Sequence, residues 1–112
     1  MRRRKRKMTK HRRTKACALT PQLKALVNAR DFGRCIICGA TGQPNAHYIP
    51  RSQGGLGIEQ NIVTLCPFCH MEFDNGSKRR EYGERIKAYL QGIYRDWDEN
   101  KLIYDKWKDL QK

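Results

Sequence analysis

Apolar positions recur at helical spacing in two stretches of the chain. Thr20-Pro21 reads as an N-cap followed by proline at the first helical position, and Leu23, Leu26, Val27 and Arg30 continue a helix that Gly33 stops. Later, Tyr82, Ile86, Tyr89, Leu90 and Ile93 form an apolar stripe on a helix that Ser77 can cap. Asp98 can cap a further helix carrying Leu102, Ile103, Trp107 and Leu110 on one side. Between these stretches the period changes. Ala46-His47-Tyr48-Ile49 reads as a short strand ended by Pro50, and the β-branched Ile62-Val63-Thr64-Leu65 reads as a second. Ala40 to Asn45 is turn-rich, and the glycines of Ser52-Gln53-Gly54-Gly55-Leu56-Gly57 predict a loop. Pro67 to Asp74 makes a short helix closed by Asn75-Gly76. The tryptophans and tyrosines are expected mainly in the core.

Length and hydropathy remove several classes. The 112 residues suit one small domain. No stretch approaches the roughly 18 apolar residues of a membrane span, and no apolar core follows the basic N-terminus as in a secretory signal. A cytoplasmic protein without membrane contact is expected. The formal net charge of +13 is concentrated: Met1 to Lys15 holds ten of the 24 lysines and arginines and no acid. Residues 1–15 are therefore expected to be a disordered basic tail, with the folded domain over 16–112. Arg2, Arg3, Arg4, Lys5, Arg6 and Lys7 could bind nucleic-acid phosphates, with affinity that falls as salt rises. A solubilising or localisation role is the plainer reading of such a block.

Five cysteines divide into Cys17 and two Cys-x-x-Cys pairs, Cys35/Cys38 and Cys66/Cys69. Without an export signal disulfides are disfavoured, because a reducing compartment keeps thiols free. Two such knuckles instead provide four thiolates for a tetrahedral structural zinc, which would help a domain this short to fold. Cys66-Pro67-Phe68-Cys69-His70 also matches the c-type haem attachment pattern, but haem would leave Cys35 and Cys38 unexplained. Of the three histidines, His11 lies in the basic tail. His47 ends the first strand and His70 follows a proposed zinc ligand. Asn61 opens the second strand, and zinc closure of the knuckles would bring these three side chains together.

The ordered series Cys35-x-x-Cys38, His47-x-x-Pro50, Gly54-Gly55, Asn61, Cys66-x-x-Cys69-His70 resembles an HNH homing-type endonuclease over about residues 20–75. The small size and basic tail look most like the stand-alone nucleases of bacteriophages. The resemblance implies an α+β, ββα-metal (His-Me finger) fold stapled by the four-cysteine zinc, with flanking C-terminal helices over 77–111. It further implies a metal-dependent DNA endonuclease of low sequence specificity, acting in the host cytoplasm if phage-encoded. His47 corresponds to the general base, Asn61 to the residue that orients it, and His70 to a ligand of a catalytic Mg²⁺ or Mn²⁺. Phage terminase subunits are an implied partner by resemblance alone. One position departs from the pattern. Many family members carry an aspartate immediately before the base, where this chain has Ala46. Asp74, four residues after His70, shares its helix face and is a candidate substitute ligand, beside the plainer reading of a capping or surface acid; Arg51 is a candidate phosphate contact. Two other readings stand beside the nuclease: a non-catalytic zinc-stabilised nucleic-acid-binding module, and a zinc-stapled protein-interaction module.

Overall fold

The computed structural model describes residues 12–105. Residues 12–17 are helical (α1) and are followed by α2 (Pro21–Asp31), β1 (Gln43–His47), β2 (Ile62–Leu65), α3 (Pro67–Asn75) and α4 (Arg79–Ile93). Single 3₁₀ turns cover Arg51–Gln53 and Glu99–Leu102. The α+β class expected from the sequence is the class observed. The contacts expected of Arg2 to Lys7 fall outside the described residues, as do Trp107 and Leu110. The end of the basic segment, residues 12–15, is helical rather than irregular.

Local chemistry accounts for the ends of α2. The Thr20 hydroxyl accepts from the Leu23 amide at 3.1 Å, and Pro21 occupies the first turn, where its missing N–H costs nothing. The stop comes one residue before Gly33, because Phe32 itself adopts a left-handed conformation with φ 58°. The expected apolar stripe contributes little: Val27 is buried, but Leu26 is 46% exposed. What anchors α2 is polar. Asp31 is buried and receives two hydrogen bonds from Arg30, one from the Thr64 amide at 2.9 Å and a short one from the Tyr89 hydroxyl. Arg30 also donates to the carbonyls of Glu59 and Ile62, both at 2.7 Å. Burial pushes the Asp31 carboxyl up, but these donors outweigh it and hold it below its ordinary range.

The two strands pair antiparallel, with Ala46 opposite Val63 and His47 opposite Ile62, and with a register shift between Gln43 and Ala46. The strand expected over Ala46–Ile49 therefore lies further toward the N-terminus. Its partner begins at Ile62, so beyond His47 the ladder ends after one more bond, from the Tyr48 amide to the Asn61 carbonyl. Pro44 fits because β1 is an edge strand. All four residues of β2 are buried. Val63 and Leu65 join Ala46, Phe73, Ile86 and Leu90 in one core cluster that also contains Cys35, Cys66 and Cys69. Tyr82, Tyr89 and Trp97 pack against it, as expected for aromatic residues in the core. The α4 stripe holds at its centre, where Ile86 and Leu90 are fully buried. Its cap is Lys78 rather than Ser77, with no side-chain capping bond.

The helix expected after Asp98 is replaced by a 3₁₀ turn. The Asp98 carboxylate accepts from the Asn100 amide, but the following backbone is used elsewhere. Leu102 accepts from the Leu56 amide at 2.8 Å, and the Tyr104 amide donates to Gly54 at 2.7 Å. The C-terminal stretch thus pairs with the glycine loop instead of coiling.

Candidate metal centre and active site

The two knuckles meet as their spacing predicts. Cys35, Cys38, Cys66 and Cys69 place their sulfurs within 4.8 Å of one another, and Cys38 Sγ lies 3.6 Å from Cys66 Sγ. A tetrahedral zinc with sulfurs at 2.3 Å requires S···S separations of about 3.8 Å. The four residues therefore fit a structural zinc by distance as well as by donor type. The Cys38 amide points at Cys35 Sγ and the Cys69 amide at Cys66 Sγ, contacts that suit sulfurs carrying negative charge. Burial raises the Cys35 thiol, yet backbone donors from Cys38, Cys66 and Ile37 bring it down to about 7.

Closing the knuckles positions the second constellation. Cys66 caps α3, and His70 follows one residue after Cys69, so the same helix carries Cys69 into the core and His70 toward an open cleft. The cleft, of about 700 Å³, is lined by His47, His70, Asp74 and Arg51 together with Asn45, Lys24 and Arg79. His70 Nε2 lies 3.0 Å from Asp74 Oδ2. Adjacent ligands of an octahedral ion with bonds of 2.0–2.1 Å are separated by about 3.0 Å, so this pair fits two neighbouring positions around one small divalent cation. Ala46 offers only a methyl group, which is fully buried in the core cluster.

His47 is held from one side. Its Nε2 is 3.0 Å from the backbone carbonyl oxygen of Cys17. A carbonyl only accepts, so Nε2 carries the proton and, in the neutral ring, Nδ1 retains its lone pair. Burial depresses the His47 pKa below its ordinary value, and the Arg51 and His70 charges act the same way. The Cys17 carbonyl and the Asp74 carboxylate oppose them without prevailing.

Asn61 does not reach the cleft. It is fully buried, and its Oδ1 accepts from the Ile49 amide at 2.8 Å. Its Nδ2 donates to the carbonyls of Ile49 at 3.2 Å and Leu56 at 2.9 Å. The side chain thus binds both limbs of the loop that follows His47. Gly55 lets that loop close, since a Cβ there would sit 1.7 Å from the Ile49 carbonyl oxygen. Cys17, Asn45, Lys24 and Arg79 carried no motif. Their place in the site arises from packing between distant segments, although Arg79 beside Asp74, at 3.9 Å, lies where any helix following α3 would begin.

A zinc-knuckle α+β domain with a histidine–carboxylate cleft is the class that fold and site define. Residues 35–75 match the family model described as HNH endonuclease. Over 84 residues, 66% of this chain and 28% of the relative, it is 31% identical to the type IV methyl-directed restriction enzyme EcoKMcrA of Escherichia coli (strain K12). Over 45 residues, 38% of this chain and 59% of the relative, it is 40% identical to anaredoxin of a Nostoc species. The chain thus spans less than two thirds of either relative.

Proposed function

We propose that this chain is a metal-dependent DNA endonuclease in which His47 is the general base. The observation that carries this reading is the Cys17–His47 hydrogen bond, which leaves an unprotonated Nδ1 on a half-buried imidazole lining the same cleft as His70 and Asp74. Similarity to a restriction enzyme supports DNA as the substrate. His47 Nδ1 takes a proton from a water, and the water oxygen attacks the phosphodiester phosphorus. The P–O3′ bond breaks and the 3′ oxygen is protonated by solvent, leaving 5′-phosphate and 3′-hydroxyl ends. His70 and Asp74 would hold one Mg²⁺ or Mn²⁺, which when bound supplies positive charge to the phosphate and the leaving oxygen. Arg51 steadies a phosphate through its guanidinium, and Asn61 keeps the loop after His47 in place. The four cysteines would hold zinc for structure alone.

Supercoiled plasmid tests the proposal. The His47→Ala variant is expected to lose cleavage by about 10²–10⁴-fold while binding DNA as before. Ala46 favours a second reading, a zinc-stabilised module that binds nucleic acid without cutting it, because the cleft lacks the usual carboxylate. That reading gains if wild-type protein binds plasmid and leaves it supercoiled with Mg²⁺, Mn²⁺, Ni²⁺ and Zn²⁺ alike.

A further inference from the structure

We propose that the pocket beside the cleft, between Tyr48 and α4, takes one unstacked nucleobase of the strand whose phosphate lies in the cleft, so that the favoured substrate is DNA with an unpaired base at the cutting site. The inference deepens the nuclease reading and rests on it for DNA as the ligand.

The pocket has a volume of about 270 Å³ and adjoins the cleft, since Pro50, Gln53 and Arg79 line both. Pockets for drug-sized ligands run to roughly 300–1,000 Å³, so this one suits a single ring system. The two spaces differ in charge. In the cleft, Lys24, Arg51 and Arg79 stand against the Asp74 carboxylate. In the pocket, Arg79 and Arg80 are matched by Glu84 and Glu99. A nucleotide divides in the same way, into an anionic phosphate and an uncharged base.

The walls suit a flat ring with a polar edge. Arg79 is fixed where the two spaces meet: its guanidinium carbon lies 4.4 Å from the centroid of the Phe73 ring, and it donates to the Phe73 carbonyl at 3.3 Å. Tyr48 supplies an aromatic ring, held by its hydroxyl bond to Glu99 at 3.1 Å and by an edge contact with Trp97. Guanidinium planes and aromatic rings are the platforms on which unstacked bases settle. Gln53 and Glu84 carry the donors and acceptors that a base edge requires. Gly83 is the clearest sign that the space is kept open. It lies within α4, where glycine weakens a helix relative to alanine. Packing does not demand it, because a Cβ there would meet Phe73 Cε1 at 3.6 Å, an ordinary contact. A longer side chain would take space from the pocket that Gly83 lines. Seating a base takes it out of the duplex stack, which costs least where the base is already unpaired. The site therefore selects mismatched, bulged or single-stranded DNA over perfect duplex.

The test uses the full-length, zinc-loaded chain with no further divalent cation, so that binding is read without cleavage. Fluorescence anisotropy compares three 20-base-pair duplexes: one fully paired, one with a single cytosine bulge, and one with an abasic residue as the bulge. Wild-type protein is expected to bind the cytosine bulge at least tenfold tighter than the paired duplex. It should also bind it at least fivefold tighter than the abasic bulge, which flexes the backbone but has no base to seat. Gly83→Leu, which adds no charge and favours the helix, should bring the two bulges within twofold of each other. Equal binding of the two bulges by wild type, or an undiminished preference in Gly83→Leu, overturns the proposal. If Gly83→Leu does not fold, Gly83→Ala decides: its Cβ fits the observed spacing, and it should cut the cytosine preference at least threefold. An unchanged preference in Gly83→Ala then overturns the proposal. A chain that never cuts DNA but prefers the cytosine bulge keeps the pocket and loses the nuclease. One that cuts plasmid and ignores the bulged base keeps the nuclease and loses the pocket.

Discussion

At the scale of single residues, environment outweighs identity. His47 and His70 are the same side chain in one cleft, but only His47 is braced by a backbone carbonyl, and only His70 sits beside a carboxylate. A base works in its neutral form. If His47 is the proposed base, its lowered pKa means that kcat/KM should rise with slope one at acidic pH and level off at a lower pH than an ordinary histidine would give. Arg51→Ala removes one of the charges that depress it, so the rising limb should move to higher pH; a pH–rate profile of both proteins checks this. Asn61 belongs to the same scale but acts on backbone. Removing it strands the Ile49 amide and the carbonyls of Ile49 and Leu56, so Asn61→Ala should cost about 3 kcal/mol, read as a lowered urea midpoint.

Elements acquire their positions from the knuckles. Each Cys-x-x-Cys joins a turn or helix start to the hairpin: the first precedes β1, and the second runs from the end of β2 into α3. If these cysteines hold zinc, a strong chelator should unfold the hairpin and α3 together, seen as loss of circular dichroism that zinc restores. Cys66→Ser should have the same effect, since Cys66 is at once a proposed ligand and the cap of α3. Retention of the native spectrum after complete zinc removal would instead mean that the core of Val63, Leu65, Phe73, Ile86 and Leu90 suffices.

For the whole molecule the dominant feature is charge asymmetry. A block with ten basic residues leads into a domain whose remaining 14 basic and 11 acidic residues nearly balance. Replacing Arg2, Arg3, Arg4, Lys5, Arg6 and Lys7 with alanine is expected to reduce the slope of log K against log salt by roughly 5 if all six contact phosphate. Duplex binding measured across a salt series checks it. An unchanged slope would assign phosphate contact to the cleft residues Lys24, Arg51 and Arg79 instead.

Much of this architecture was legible in the letters, and the parts that were share a cause. Cys-x-x-Cys spacing, the cap at Thr20-Pro21, the β-branched run Ile62–Leu65 and the α4 stripe are short-range patterns, and local stereochemistry reads them without knowledge of the rest of the chain. The strand limits were misplaced because β1 ends where its partner ends, and the helix expected after Asp98 gave way because its backbone found partners in the glycine loop. The Asp31–Tyr89 and Cys17–His47 bonds join residues that are thirty or more positions apart. Nothing in the residue types announces such a bond, least of all one made by a backbone carbonyl, which every residue possesses. Sequence alone therefore determined which side chains are equipped to bind zinc, take a proton or hold a phosphate. Only the tertiary structure decided which ring nitrogen stays free to act, because that depends on which segment packs against His47 and not on His47 itself.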